Sequence, residues 1–108
     1  MGGGNAPSHA DGDVAQCKKL PPVVRLGEPK FPNDFESRGV PMPITVMVEF
    51  TVRSDGTSAD AWAIETHAGG YGPEFEKLAV AAVLETRFQR MTHSCRGRWK
   101  IVWKLGDS

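Results

Sequence analysis

The sequence predicts a small α+β domain, a three-stranded antiparallel sheet with two helices packed on one face. Three observations lead there. Residues 44–52 and 98–105 alternate apolar and polar side chains, the period of a strand with one buried face. Asp55 and Gly56 follow the first of these stretches, and Asp-Gly between two strand-like runs is a strong hairpin signal. From Phe75 to Val83 apolar residues recur at spacings of three and four, the period of an amphipathic helix.

Taken in order, residues 1–27 are rich in Gly, Pro, Asp and Lys and carry no period, so they read as a flexible tail or linker. The opening Met1, Gly2, Gly3 and Gly4 look like an added leader, and residues 28–108 form the folded domain. Val23, Val24 and Leu26, just after Pro21 and Pro22, are expected to pack on that domain as a short extended segment. Residues 31–39 predict the first helix: Pro32 suits a first helical position, Asp34 and Glu36 come early, and Arg38 and Gly39 come late. Phe31 and Phe35 would staple its start, Gly39 would supply a left-handed stop, and Pro41 and Pro43 prevent continuation.

Ile44, Val46, Val48, Phe50 and Val52 form the buried face of the first long strand. The strand from Thr57 to Thr66 returns antiparallel, with Trp62 and Ile64 expected to face inward. His67, Ala68, Gly69, Gly70, Tyr71 and Gly72 read as a flexible loop, and Pro73, Glu74 and Glu76 open the second helix. Its inward stripe is Phe75, Leu78, Ala79, Ala82 and Val83, and Arg87 and Arg90 sit where the negative end of the helix dipole falls. In the last strand Trp99, Ile101, Trp103 and Leu105 share one side, and Arg98, Lys100, Val102 and Lys104 the other.

Composition bounds the function. A chain of 108 residues holds one compact domain, too small for a two-domain enzyme with an enclosed cleft. The longest apolar run, Leu78 to Leu84, is far short of the roughly 20 residues that cross a bilayer. Thirteen Lys and Arg balance thirteen Asp and Glu, without the strong positive charge of nucleic-acid binders. From residue 85 onward, however, Arg87, Arg90, Arg96, Arg98, Lys100 and Lys104 face only Glu85 and Asp107. That net +4 makes either a solvated edge or a cationic surface for an acidic partner.

The residues resemble the C-terminal domain of TonB, the protein that couples the inner-membrane proton gradient to outer-membrane transporters. The family's opening Pro-x-(Tyr/Phe)-Pro matches Pro29, Lys30, Phe31 and Pro32. Its Val-x-Val-x-Phe-x-Val strand and Asp-Gly turn match Val46, Val48, Phe50, Val52, Asp55 and Gly56. Its second-helix pattern matches Phe75, Glu76, Ala79, Ala82 and Val83, closing in Arg87 and Phe88. There are departures. Thr86 and Arg90 stand where the family often has Trp and Pro, and Pro41, Met42 and Pro43 replace the glycine that usually opens the first long strand. No long Pro-rich, charge-patterned spacer precedes the domain.

The resemblance implies a periplasmic location in a Gram-negative envelope, with any tether to the inner membrane lying outside these 108 residues. In that oxidising compartment a Cys17–Cys95 disulfide is expected, clamping the N-terminal segment to the loop before the last strand. A lipid anchor on Cys17 is the weaker alternative, since Val14, Ala15 and Gln16 only partly match a lipobox. The cysteines lack the C-x-x-C spacing of a zinc knuckle or thioredoxin-type pair. His93, Cys95 and His67 could be imagined as a nucleophile or metal set, but no carboxylate orienter adjoins Cys95 in sequence. Gly69, Gly70 and Gly72 precede a helix without the Lys-Ser/Thr of a phosphate loop. Trp99 and Trp103 share a face with core residues, which removes them as stacking platforms for bases.

The expected function is therefore non-enzymatic, without metal, cofactor or nucleic acid. The resemblance implies strand addition of an extended peptide, the short N-terminal box of an outer-membrane transporter, along residues 98–105. The partner-binding residues are then Arg98, Trp99, Lys100, Ile101, Val102, Trp103, Lys104 and Leu105. The alternative is a stand-alone TonB-like adaptor, scaffold or inhibitor that binds another envelope protein without energy transduction.

Overall fold

The computed structural model describes residues 14–105. In chain order these form β1 (Val23–Arg25), β2 (Ile44–Val52), β3 (Ser58–His67), α1 (Gly72–Glu85), β4 (Arg87–Phe88) and β5 (Cys95–Trp103). A 3₁₀ turn, Gly69–Tyr71, leads into α1. Among the described residues no helix is long and apolar enough to cross a membrane.

The alternation of residues 44–52 does what its period requires. β2 lies between β3 and β5, antiparallel to both. Its inward side chains Ile44, Val46, Val48, Phe50 and Val52 are almost wholly buried. The turn after β2 closes through the Arg53 amide donating to the Thr57 carbonyl, with the Thr57 amide and hydroxyl both donating to Asp55 Oδ1. Those bonds hold the Asp55 carboxyl below its ordinary pKa, the Thr57 hydroxyl contributing most. Gly56 is required twice over. It has φ of +91°, and a Cβ there would lie 2.1 Å from the Phe88 carbonyl oxygen.

α1 packs across β2 and β3 through Phe75, Ala79 and Val83, and Ala82 is buried where Gly27 approaches its carbonyl. Ala79 presents no bulk between helix and sheet, while Phe75 meets Trp103 edge-on at 4.9 Å between ring centroids. Pro73 and Glu74 stand in the first turn as the sequence predicts. At the other end Arg87 has left the helix, yet its Nη1 donates back to the Leu84 carbonyl at 3.0 Å.

Among the described residues only one α-helix forms. Residues 33–39 make successive turns in place of the predicted first helix, because Asp34 sits at φ of +59°, a left-handed residue that a right-handed helix cannot contain. The local signals within that stretch are still satisfied: the rings of Phe31 and Phe35 pack at a tilt with centroids 4.6 Å apart, and Gly39 has φ of +69°. Arg38 binds Glu74 through both terminal nitrogens, which ties the turn to the start of α1.

The place of a second helix over β5 is taken by residues 14–30, the described part of the stretch expected to be a linker and the first residues of the predicted domain. Leu20 approaches Gly97, β1 pairs with β4, and the Gln89 amide donates to the Pro22 carbonyl. The buried Gly27 amide donates to the Thr86 hydroxyl, which itself donates to the Ala82 carbonyl. Trp103 then donates its Nε1–H to the Lys30 carbonyl at 3.0 Å. Phe50, Phe88 and Trp99 form an aromatic cluster in this half of the core.

The inward side of β3 is also not the predicted one. Register shifts interrupt its pairing between Met47↔Glu65 and Val48↔Ala63, and again between Glu49↔Trp62 and Thr51↔Ala59. Each inserts an extra residue on β3, and Asp60 at φ of +49° marks the second. Trp62 is thereby paired with Glu49 on the sheet face away from α1, Ile64 is 38% exposed, and Ala61 and Ala63 pack toward the core.

Thr86 tests how the N-terminal strap is held. Thr86→Val keeps the volume but strands the buried Gly27 amide, so denaturant unfolding should show a loss of about 1–3 kcal/mol. Unchanged stability would mean that water replaces the hydroxyl.

Candidate functional site

The three-stranded sheet ends in two edge strands, β3 and β5, and they differ in regularity. β5 pairs with β2 over nine consecutive residues, from Cys95↔Val52 to Trp103↔Ile44, without a register shift. Main-chain groups along such a strand point alternately toward and away from the neighbour. The direction is fixed by Arg96, whose amide donates to the Ala15 carbonyl and whose carbonyl accepts from the Cys17 amide, each at 2.8 Å. Both partners lie on the side away from β2. The outward groups that follow are those of Arg98, Lys100 and Val102, and among the described residues no main-chain bond satisfies them. On β3 the two extra residues break the corresponding row.

Of the eight residues predicted to bind a partner, Arg98, Lys100 and Val102 stand together on the exposed side of β5. Trp99, Ile101 and Trp103 direct their main-chain groups to β2 and their side chains to the core. The strand spans Cys95–Trp103 and not residues 98–105: Lys104 and Leu105 lie beyond its end, with Leu105 54% exposed.

The sheet face away from α1, beside this edge, carries a charged cluster that sequence reading did not identify. Glu49, only 8% exposed, accepts a hydrogen bond from Arg96 Nη2 and lies 3.4 Å from Arg98 Nε. The Arg96 guanidinium carbon stands 5.1 Å from the centre of the Trp62 ring. Arg96 is thus anchored by salt bridge and ring together, which stiffens the start of β5. The sequence signal was present in weak form, since Glu49 occupies the polar phase of a strand whose partner is basic. Which cation it meets follows only from the Glu49↔Arg98 register.

Cys17 and Cys95 are joined, as expected, across a sequence separation of 78. For a loop of that length the chain-entropy gain is about 4 kcal/mol. No free thiol therefore stands near His93. Among the described residues no group of three or more His, Cys, Asp or Glu comes together. The glycines ahead of α1 form a 3₁₀ turn, with Gly69 at φ of +58°.

No protein-family model matches the chain, and no curated protein matches it. Among solved structures it is similar to the solution NMR structure of the Pseudomonas aeruginosa TonB C-terminal domain, with a TM-score of 0.64. The two share 21% sequence identity over 80% of this chain and 87% of the other. The fold is that of a TonB C-terminal-like domain, which agrees with the class read from the motifs, less its predicted first helix.

Glu49→Ala leaves Arg96 mostly buried without its counter-ion and should cost about 3 kcal/mol in thermal or chemical unfolding. A cost near zero would show that Arg96 swings to solvent when released.

Proposed function

We propose that the domain is a non-enzymatic protein-binding module of the cell envelope that takes up an extended peptide as a fourth strand along β5. The observation that carries this reading is the shift-free β5 edge, with the main-chain groups of Arg98, Lys100 and Val102 directed outward. Such a row supplies hydrogen bonds to any extended segment, and alternate side chains add selectivity. Arg98 and Lys100 guard the edge against self-pairing while favouring a partner with carboxylates.

The TonB C-terminal-like fold and the motifs of the family support a more specific assignment. The partner is a short N-terminal segment of an outer-membrane transporter, the compartment is the periplasm, and binding couples inner-membrane energy to transport. The disulfide fits an oxidising compartment.

Titration of the isotope-labelled domain with such a transporter peptide tests the reading. Amide shifts should run along β5, and Val102→Pro should weaken binding about tenfold or more by removing one outward donor. Because that amide points away from β2 and the side chain is 44% exposed, the fold should survive the substitution. Shifts confined to residues 67–72, with β5 silent, would move the site to that loop.

A further inference from the structure

The β5 edge is not open along its whole length. Cys95 begins the strand and is bonded to Cys17, and the chain around Cys17 is already paired with the next residue. Gln16 forms a parallel bridge with Arg96, whose amide and carbonyl are both used by Ala15 and Cys17. The strap then turns off the edge. Residues 18 and 19 bend, and Leu20 crosses to the core face at Gly97, where a Cβ would stand 2.5 Å from the leucine methyl. A glycine inside a strand marks this kind of close approach. Among the described residues the chain thus pairs with one outward position of β5 and leaves the next three, Arg98, Lys100 and Val102, without a main-chain partner.

Resting on the strand-addition reading, we infer that residues 15–17, fixed by the Cys17–Cys95 bond, are a built-in stop that sets the register and length of the partner strand. The partner pairs with residues 98–102 and ends where Gln16 begins. Successive residues on one face of a strand meet those directly opposite. Arg98 and Lys100 lie on the sheet face away from α1 and Val102 follows them, so the best partner is a short extended segment carrying two carboxylates at alternate positions and then an apolar residue. Arg96 is excluded twice, by the strap along its main chain and by Glu49 at its guanidinium. Opening the disulfide releases the main-chain groups of Arg96 and lengthens the site by one outward residue.

The test compares a pentapeptide carrying Glu at two alternate positions and Val at the next alternate position with a nonapeptide that continues it by two residues at each end, reading affinity and residue-resolved amide exchange. The oxidised chain, the reduced chain and Cys17→Ser/Cys95→Ser are measured, with Trp99 and Ile101 amides as the control for an intact sheet. In the oxidised chain the two peptides should bind within about twofold of each other, slowing exchange at Arg98, Lys100 and Val102 and leaving Arg96 unchanged. With the bond open, Arg96 should exchange quickly in the free protein, and the nonapeptide should gain about fivefold to tenfold over the pentapeptide while slowing Arg96. A nonapeptide about fivefold or more tighter already in the oxidised chain overturns the stop, and this comparison needs no variant to fold. Equal length dependence in oxidised and opened chains, with Trp99 and Ile101 still slow, overturns it as well. Absence of protection at all three outward residues in every form instead overturns strand addition, and the stop with it.

Discussion

A sheet of three strands carries two rows of unpaired main-chain groups, and the way this chain disposes of them governs the rest of its structure. β2 has no such problem, being paired on both sides and buried on its inward face. β3 is interrupted by two extra residues, which turn its outward row irregular. β5 stays regular for nine residues and is protected by charge and, at Arg96, by the chain's own N-terminal segment. The regular edge is the one that can template a further strand.

Covering the core is the second demand. A single α-helix spans β2 and β3, so the β5 half of the core face needs another lid. The strap provides it with little regular structure, through Leu20, the short β1–β4 ladder and the Gly27 to Thr86 bond. A segment with so few regular bonds gains most from a covalent anchor, because the disulfide removes loop entropy from the unfolded chain that weak contacts alone would have to offset. On the proposed function, stability and recognition are joined at one place: the bond that fastens the lid also fixes the segment beside the proposed binding edge.

Much of this was legible in the residues. The alternation of Ile44 to Val52, the Asp55-Gly56 turn, the helix stripe from Phe75 to Val83 and the cysteine pair each reported a local or covalent constraint, and each is found in the structure. The misreadings come from constraints that are not local. Residues 31–39 have the composition of a helix, but the left-handed Asp34 breaks it, while Arg38 is drawn to Glu74. Trp62 changes faces because bulges shift the period of β3, and no period count detects an inserted residue. β1 and β4 are too short to carry a period at all. Within the candidate site, the charged edge residues Arg98 and Lys100 were visible, whereas the burial of Glu49 and the pairing of Gln16 with Arg96 depend on register. Gly97 was a further overlooked clue, a glycine set within an alternating strand.

The central claim is that recognition at β5 is carried by main-chain hydrogen bonds. Its most direct test is binding of an extended acidic peptide in two N-methylated versions, one blocking the amides on one edge of the peptide and the other blocking those on the opposite edge. Only one of the two edges can face Arg98, Lys100 and Val102, so one version should lose binding and the other should retain it. Equal affinity of both versions and the unmodified peptide would contradict the account, since side chains alone would then be holding the partner.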